Sequence, residues 1–144
     1  MRKYIVPGIG SGVIGGIAFG GILVMTGLMP FMEEIANGNS FIFMFVHMSI
    51  SVMLGGLFGV WLGHRVSSPL SGAALGMAYG VLWWVLGPLL IFPAWLNIHL
   101  GVMQAIQAFW GHAAYGLYLG IVFFLIVRKR ETADKPETKP AVPA

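Results

Sequence analysis

Charged residues are missing from three long stretches of the chain, and the few that remain mark the ends of apolar blocks. No Asp, Glu, Lys or Arg occurs in residues 4–32, 35–64 or 66–127. About 20 apolar residues carry a helix across a bilayer, so the first two stretches hold one span each and the third holds two. The spans read as residues 5–29, 41–63, 70–92 and 102–127. A soluble helical core would need a polar outer face on some of these helices, and none carries one. The expected fold class is therefore all-α integral membrane. Residues 1–130 would form a four-helix transmembrane domain, and residues 131–144, rich in Pro, Lys, Glu and Thr, a disordered tail.

Glycine spacing and an internal repeat refine this picture. Laying span one on span three with an offset of sixty places Ser11, Gly12, Gly16, Ala18, Gly20 and Gly27 on Ser71, Gly72, Gly76, Ala78, Gly80 and Gly87, with Phe19 on Tyr79. An offset of sixty-five lays span two on span four, pairing His47 with His112, Leu54 with Leu119, Gly55 with Gly120 and Phe58 with Phe123. The predicted unit is a two-helix hairpin, residues 5–63 and again 70–127. Two copies, each with an even number of spans, share one orientation and predict a pseudo-twofold axis along the membrane normal.

Glycine recurs at four-residue intervals as Gly8, Gly12, Gly16 and Gly20 on the first span, and as Gly55, Gly59 and Gly63 on the second. The third carries Gly72, Gly76 and Gly80, and the fourth Gly116 and Gly120. Such spacing lines one helix face with backbone, so neighbouring helices can approach closely. These faces lie in one half of the predicted bundle. The other half carries Met and Trp, with Gly27, Gly87, Pro30, Pro88 and Pro93 near the helix ends, and is expected to bend outward and pack more loosely.

Composition agrees with a lipid environment, at 58% hydrophobic and 9% charged residues. Arg2 and Lys3 resemble the start of a signal peptide, but the apolar run that follows is too long for a leader and lacks a small-residue cleavage site, so it is expected to remain as a span. With no cysteine, disulfides and thiolate metal sites are excluded. The net charge of +3 does not point to nucleic acid, because all eight Lys and Arg fall on one side of a four-span topology. The positive-inside rule makes that side cytoplasmic, with both termini inside and Glu33 and Glu34 outside.

Chemistry in the spans rests on His47 and His112, since an ionisable side chain within a bilayer is costly and faces the bundle interior. Paired across an axis, they could ligate haem b or copper, or share a proton. Met44 and Met48 lie on the His47 side of the second span and would suit copper. The alternative is structural, each neutral imidazole donating to a backbone carbonyl or hydroxyl of the neighbouring repeat, such as Ser49, Ser51 or Tyr115. An outer vestibule would be lined by Glu33, Glu34, Trp83, Gln104 and Gln107, the glutamines otherwise bonding loop backbone. No nucleophile triad, phosphate loop or dinucleotide motif is present, and acid–base catalysis would rest on His alone.

Segments 47–55, 87–96 and 109–116 show a His early in one span, a Gly–Pro exit from another, and an aromatic–Gly–His start to the last. This pattern resembles YagU-like bacterial inner-membrane proteins, although the loops here are shorter. The resemblance implies a bacterial inner membrane and supplies no substrate. Three functions then stand open: a non-catalytic binding or accessory subunit packed against other membrane subunits or itself, a haem or copper protein using His47 and His112, and an oligomeric transporter of protons, metal ions or small solutes.

Overall fold

Uninterrupted apolar runs become helices because a backbone in lipid must satisfy its own hydrogen bonds. The computed structural model describes residues 2–133. In chain order these form α1 (Arg2–Thr26), α2 (Met29–Ile35), α3 (Ser40–Leu62), α4 (Pro69–Trp84), α5 (Phe92–Leu96) and α6 (Val102–Ala133). A 3₁₀ turn, Gly63–Arg65, closes α3, and a π-helical segment, Val85–Ile91, joins α4 to α5. Among the described residues there is no strand, and four helical runs are long and apolar enough to cross a membrane: Lys3–Thr26, Ser40–Arg65, Pro69–Leu96 and Val102–Ala133. These four helical runs coincide with the four spans read from the sequence. Residues 131–133 continue α6 into the segment expected to be tail, and residues 134–144 lie outside those described.

Local sequence explains where the helices stop. Gly27 takes φ +73°, a left-handed conformation that glycine adopts without a steric penalty. Gly27 N–H then bonds Val24 O at 3.2 Å and Leu28 N–H bonds Leu23 O at 3.0 Å, the Schellman pairing that satisfies the last carbonyls of α1. Leu23 and Leu28 are both buried in one cluster, which supplies the apolar contact of that motif. The Asn39 side chain caps α3 by accepting from Ile42 N–H at 3.0 Å. Ser68 and Ser71 form a reciprocal capping box ahead of α4, with Pro69 in its first turn.

Near Gly87, where an outward bend is expected, the backbone is irregular at Pro88. Pro88 has no N–H to give to the carbonyl four residues back, and its ring would crowd that carbonyl in an α-helix. The backbone widens instead to the π pattern, in which Phe92 N–H reaches Gly87 O, and the helical run continues to Leu96.

Packing places the four long helices in the order α3, α1, α6, α4. On the α1–α3 seam, backbone meets backbone: a Cβ at Gly12 would lie 2.5 Å from Ser51 O, and one at Gly16 would lie 2.8 Å from the Ser51 side chain. Gly72, Gly76 and Gly80 of α4 face Gly120, Gly116 and the His112 carbonyl of α6 in the same way. The α1–α6 contact uses glycines outside the four-residue series. A Cβ at Gly15 would lie 2.9 Å from Tyr115, and Gly111 receives the Phe19 ring.

Helices α3 and α4 meet sparsely through the backbone and are held apart by larger side chains. Leu54 and Phe58 of α3, Tyr79 of α4, and Tyr115, Leu119 and Phe123 of α6 form one core. Leu23, Leu28, Phe43 and Ala108 form a second at the opposite end, where Phe31, Met32, Trp84 and Leu100 cover it. Outward-facing positions are occupied by apolar residues such as Phe41, Phe45, Met53, Leu70 and Trp110, as a lipid-facing surface requires.

Candidate functional site

Both candidate histidines lie in the helical interior, and Phe19 of α1 touches both. The Phe19 ring centroid is 5.2 Å from that of His47 on α3 and 4.6 Å from that of His112 on α6. Phe43, one turn before His47, stacks on its ring at 5.7 Å and 26°. His47 Nε2–H donates to the Gly16 carbonyl of α1 at 2.9 Å. His112 Nδ1–H donates to Ala108 O of its own helix at 2.8 Å. A carbonyl only accepts, so these bonds set opposite tautomers on the two neutral rings: Nδ1 of His47 and Nε2 of His112 carry the lone pairs. The acceptors are carbonyls of α1 and of α6 itself, and not the hydroxyls of Ser49, Ser51 or Tyr115.

The hydroxyls of Ser51, Tyr115 and Tyr79 build a ladder beside the imidazoles. Ser51 Oγ donates to His47 O at 2.8 Å, and Tyr115 Oη of α6 donates to Ser51 O at 2.8 Å. Tyr79 Oη of α4 crosses to Leu54 O of α3, also at 2.8 Å. The ladder ties α3 to α6 and α4 through α3 backbone carbonyls that Tyr115 and Tyr79 reach from the side. Sequence reading missed the cross-links from Tyr79 and Tyr115 and the position of Phe19. Phe19 and Tyr79 are equivalent under the sixty-residue offset, which was the available signal.

The methionines divide. Met48 is half-buried, and its Sδ lies 3.2 Å from where a Cβ on Gly16 would sit, whereas Met44 is exposed. His47 points at α1, whereas Met44, one turn earlier, is exposed.

Residues proposed for an outer vestibule occupy separate places. Glu33 and Glu34 lie on α2, where their backbone carbonyls accept the N–H groups of Ala36, Asn37 and Gly38. Gln104 Oε1 accepts from Gly101 N–H at 2.6 Å, capping the start of α6. Gln107 Nε2 donates to Thr26 O, one of the terminal carbonyls of α1. Trp83 belongs to the large core and packs edge-on against Tyr79 at 6.0 Å, while its neighbour Trp84 donates from Nε1 to Ala105 O at 2.9 Å. Trp83 Nε1 is buried with no hydrogen-bond partner among the described residues.

Two surface clefts lie at the other end of the bundle. One is formed by Tyr4, Val60, Trp61 and His64, and the second lies between Tyr4, the loop before α4 and the end of α6. Among the described residues, no group of three or more His, Asp or Glu side chains is placed to hold a metal ion. Comparisons with protein-family models, with curated proteins and with solved structures return no match.

Proposed function

We propose that the chain is a non-catalytic binding or accessory subunit of a bacterial inner-membrane complex, with both termini in the cytoplasm. The observation that carries this reading is the use made of the interior polar groups. His47, Ser51, Tyr79 and Tyr115 each donate to a backbone carbonyl, three of them on another helix, so their chemistry goes into holding helices in register. A broad apolar surface remains for lipid or for a second membrane subunit.

Two parallel hairpin repeats fit the same reading. Applying the offsets of sixty and sixty-five carries the close approaches Gly12 to Gly55 and Gly16 to Ser51 onto Gly72 to Gly120 and Gly76 to Gly116. The charges support the orientation: Lys3, Arg65 and Arg128 gather at one end, where Tyr4 packs against Phe123, and Glu33 and Glu34 stand at the other. Because the chain has no cysteine, single cysteines at positions 34 and 130 test topology directly. An impermeant thiol reagent outside the cell should label the first alone. Crosslinking in native membranes, followed by purification in mild detergent, should give a stoichiometric complex with another membrane chain or with itself. A lone monodisperse chain with no crosslinked product refutes the proposal.

A second reading, binding of haem b or copper, draws on the contact of both imidazoles with Phe19 and on the lone pair each ring keeps. It expects a Soret band or stoichiometric copper in protein from native membranes, lost in His47→Ala and His112→Ala. A colourless, metal-free preparation that folds equally well with both substitutions removes it.

A further inference from the structure

We propose that α2 is a lid, hinged on Gly27 and Gly38, that controls access to His47 from the end of the bundle. Both glycines take φ +73°, and nothing lies within 4 Å of the position a Cβ would occupy on either. A left-handed glycine in open space can change its backbone angles without striking a neighbour. Between the hinges, α2 is lightly held. Its backbone bonds are local, from Met32 N–H to Leu28 O and from the Ala36, Asn37 and Gly38 N–H groups to the carbonyls of Glu33 and Glu34. Among the described residues, no side chain of residues 29–38 makes a hydrogen bond, the nearest in sequence being those of Thr26 and Asn39 outside the hinges. No residue of α2 is buried, and its hold on the bundle is the packing of Met29, Phe31 and Met32 on the cluster of Leu23, Leu28, Phe43 and Ala108.

Leu28 stands just inside the first hinge and is the plug. It is 1% exposed, and its N–H bonds Leu23 O at 3.0 Å. Opening the lid breaks that bond and withdraws Leu28 from the cluster it shares with Phe43, the residue whose ring stacks on that of His47. The Trp84 side of the cluster stays covered, because Trp84 is anchored through Nε1–H to Ala105 O. His47 Nε2–H is committed to the Gly16 carbonyl, so the lid governs which proton donors or small electron-pair acceptors reach Nδ1. This device goes beyond the subunit reading and does not depend on it.

The test is labelling of the full chain in mild detergent with diethyl pyrocarbonate, which acylates the free nitrogen of a neutral imidazole, followed by mass spectrometry of each histidine. His64 and His99 are exposed and should label fast, while buried His47 labels slowly. Replacing Phe31 and Met32 together by Ala removes apolar hold on the lid and should speed His47 labelling by about tenfold. Met25→Ala, on the exposed face of α1, should leave it unchanged. Because the chain has no cysteine, Met32→Cys with Leu100→Cys allows the lid to be tied by a bis-maleimide across the cluster that both residues cover. The tie should suppress His47 labelling and leave that of His64 and His99 intact. Amide exchange at Leu119, in the other core, should be the same in every variant and separates lid opening from global unfolding. Equal His47 labelling with the lid tied and free, or loss of Leu119 protection in step with His47 labelling, overturns the proposal.

Discussion

Gly116→Ala isolates the contact that holds α4 against α6. An added Cβ would strike the Gly76 carbonyl oxygen, and would lie 2.8 Å from Gly76 C and 3.1 Å from Gly80 Cα. Ordinary carbon–carbon contact is about 3.5–4.0 Å, so the two helices must part by roughly 1 Å. Such a gap forfeits about a quarter to a half of each dispersion contact along the seam, and backbone atoms have no rotamer through which to yield. Overpacking of this kind costs about 1–3 kcal/mol. Gly21→Ala is the matched control, because nothing lies within 4 Å of a Cβ at that helical position. There the substitution should gain about 0.5–1 kcal/mol, the intrinsic advantage of alanine over glycine in a helix. Denaturant unfolding in mild detergent, followed by fluorescence of the five tryptophans, reads both. Adding Gly76→Ala to Gly116→Ala should cost less than the two singles together, since one separation relieves both clashes. Equal stability of Gly116→Ala and Gly21→Ala would refute backbone contact as the origin of the α4–α6 pairing.

Tyr115→Phe removes the donor to Ser51 O and should destabilise by about 0.6–1.7 kcal/mol in the same assay, whereas Tyr118→Phe on the exposed face should be neutral. Gly27→Ala forces an L side chain into the left-handed turn that ends α1 and should cost about 1–2 kcal/mol, visible as a lowered unfolding midpoint. His47→Ala should cost more than His112→Ala, because His47 ties α3 to α1 while His112 bonds within its own helix. Hydrogen exchange should show α1 and α3 loosened in the first variant and unchanged in the second.

The number of spans and the glycine faces were legible because both are local properties. Suitability for lipid depends on residues adjacent in sequence, and a four-residue glycine spacing fixes a helix face before any partner is known. The same locality made the capping role of Gln104 an open alternative, since its partner Gly101 is three residues away. Gln107, Phe19 and Tyr115 were not legible in this way. Their partners lie on other helices, and apolar spans offer little charge pattern by which to guess which helix adjoins which.

The sequence by itself determined an all-helical membrane chain, its four spans, and which face of each helix is bare backbone. Only the tertiary structure decided that α1 and α6 lie at the centre of the row with α3 and α4 outside. Gly15 admits Tyr115, and Gly111 admits Phe19, whereas the equivalents under the repeat offsets are Leu75 and Val46. At those equivalent positions α3 and α4 carry side chains, and these two helices meet only sparsely through the backbone. The physical reason is that helix association in lipid depends on shape at single positions, and one missing Cβ on each partner sets which pair of helices closes.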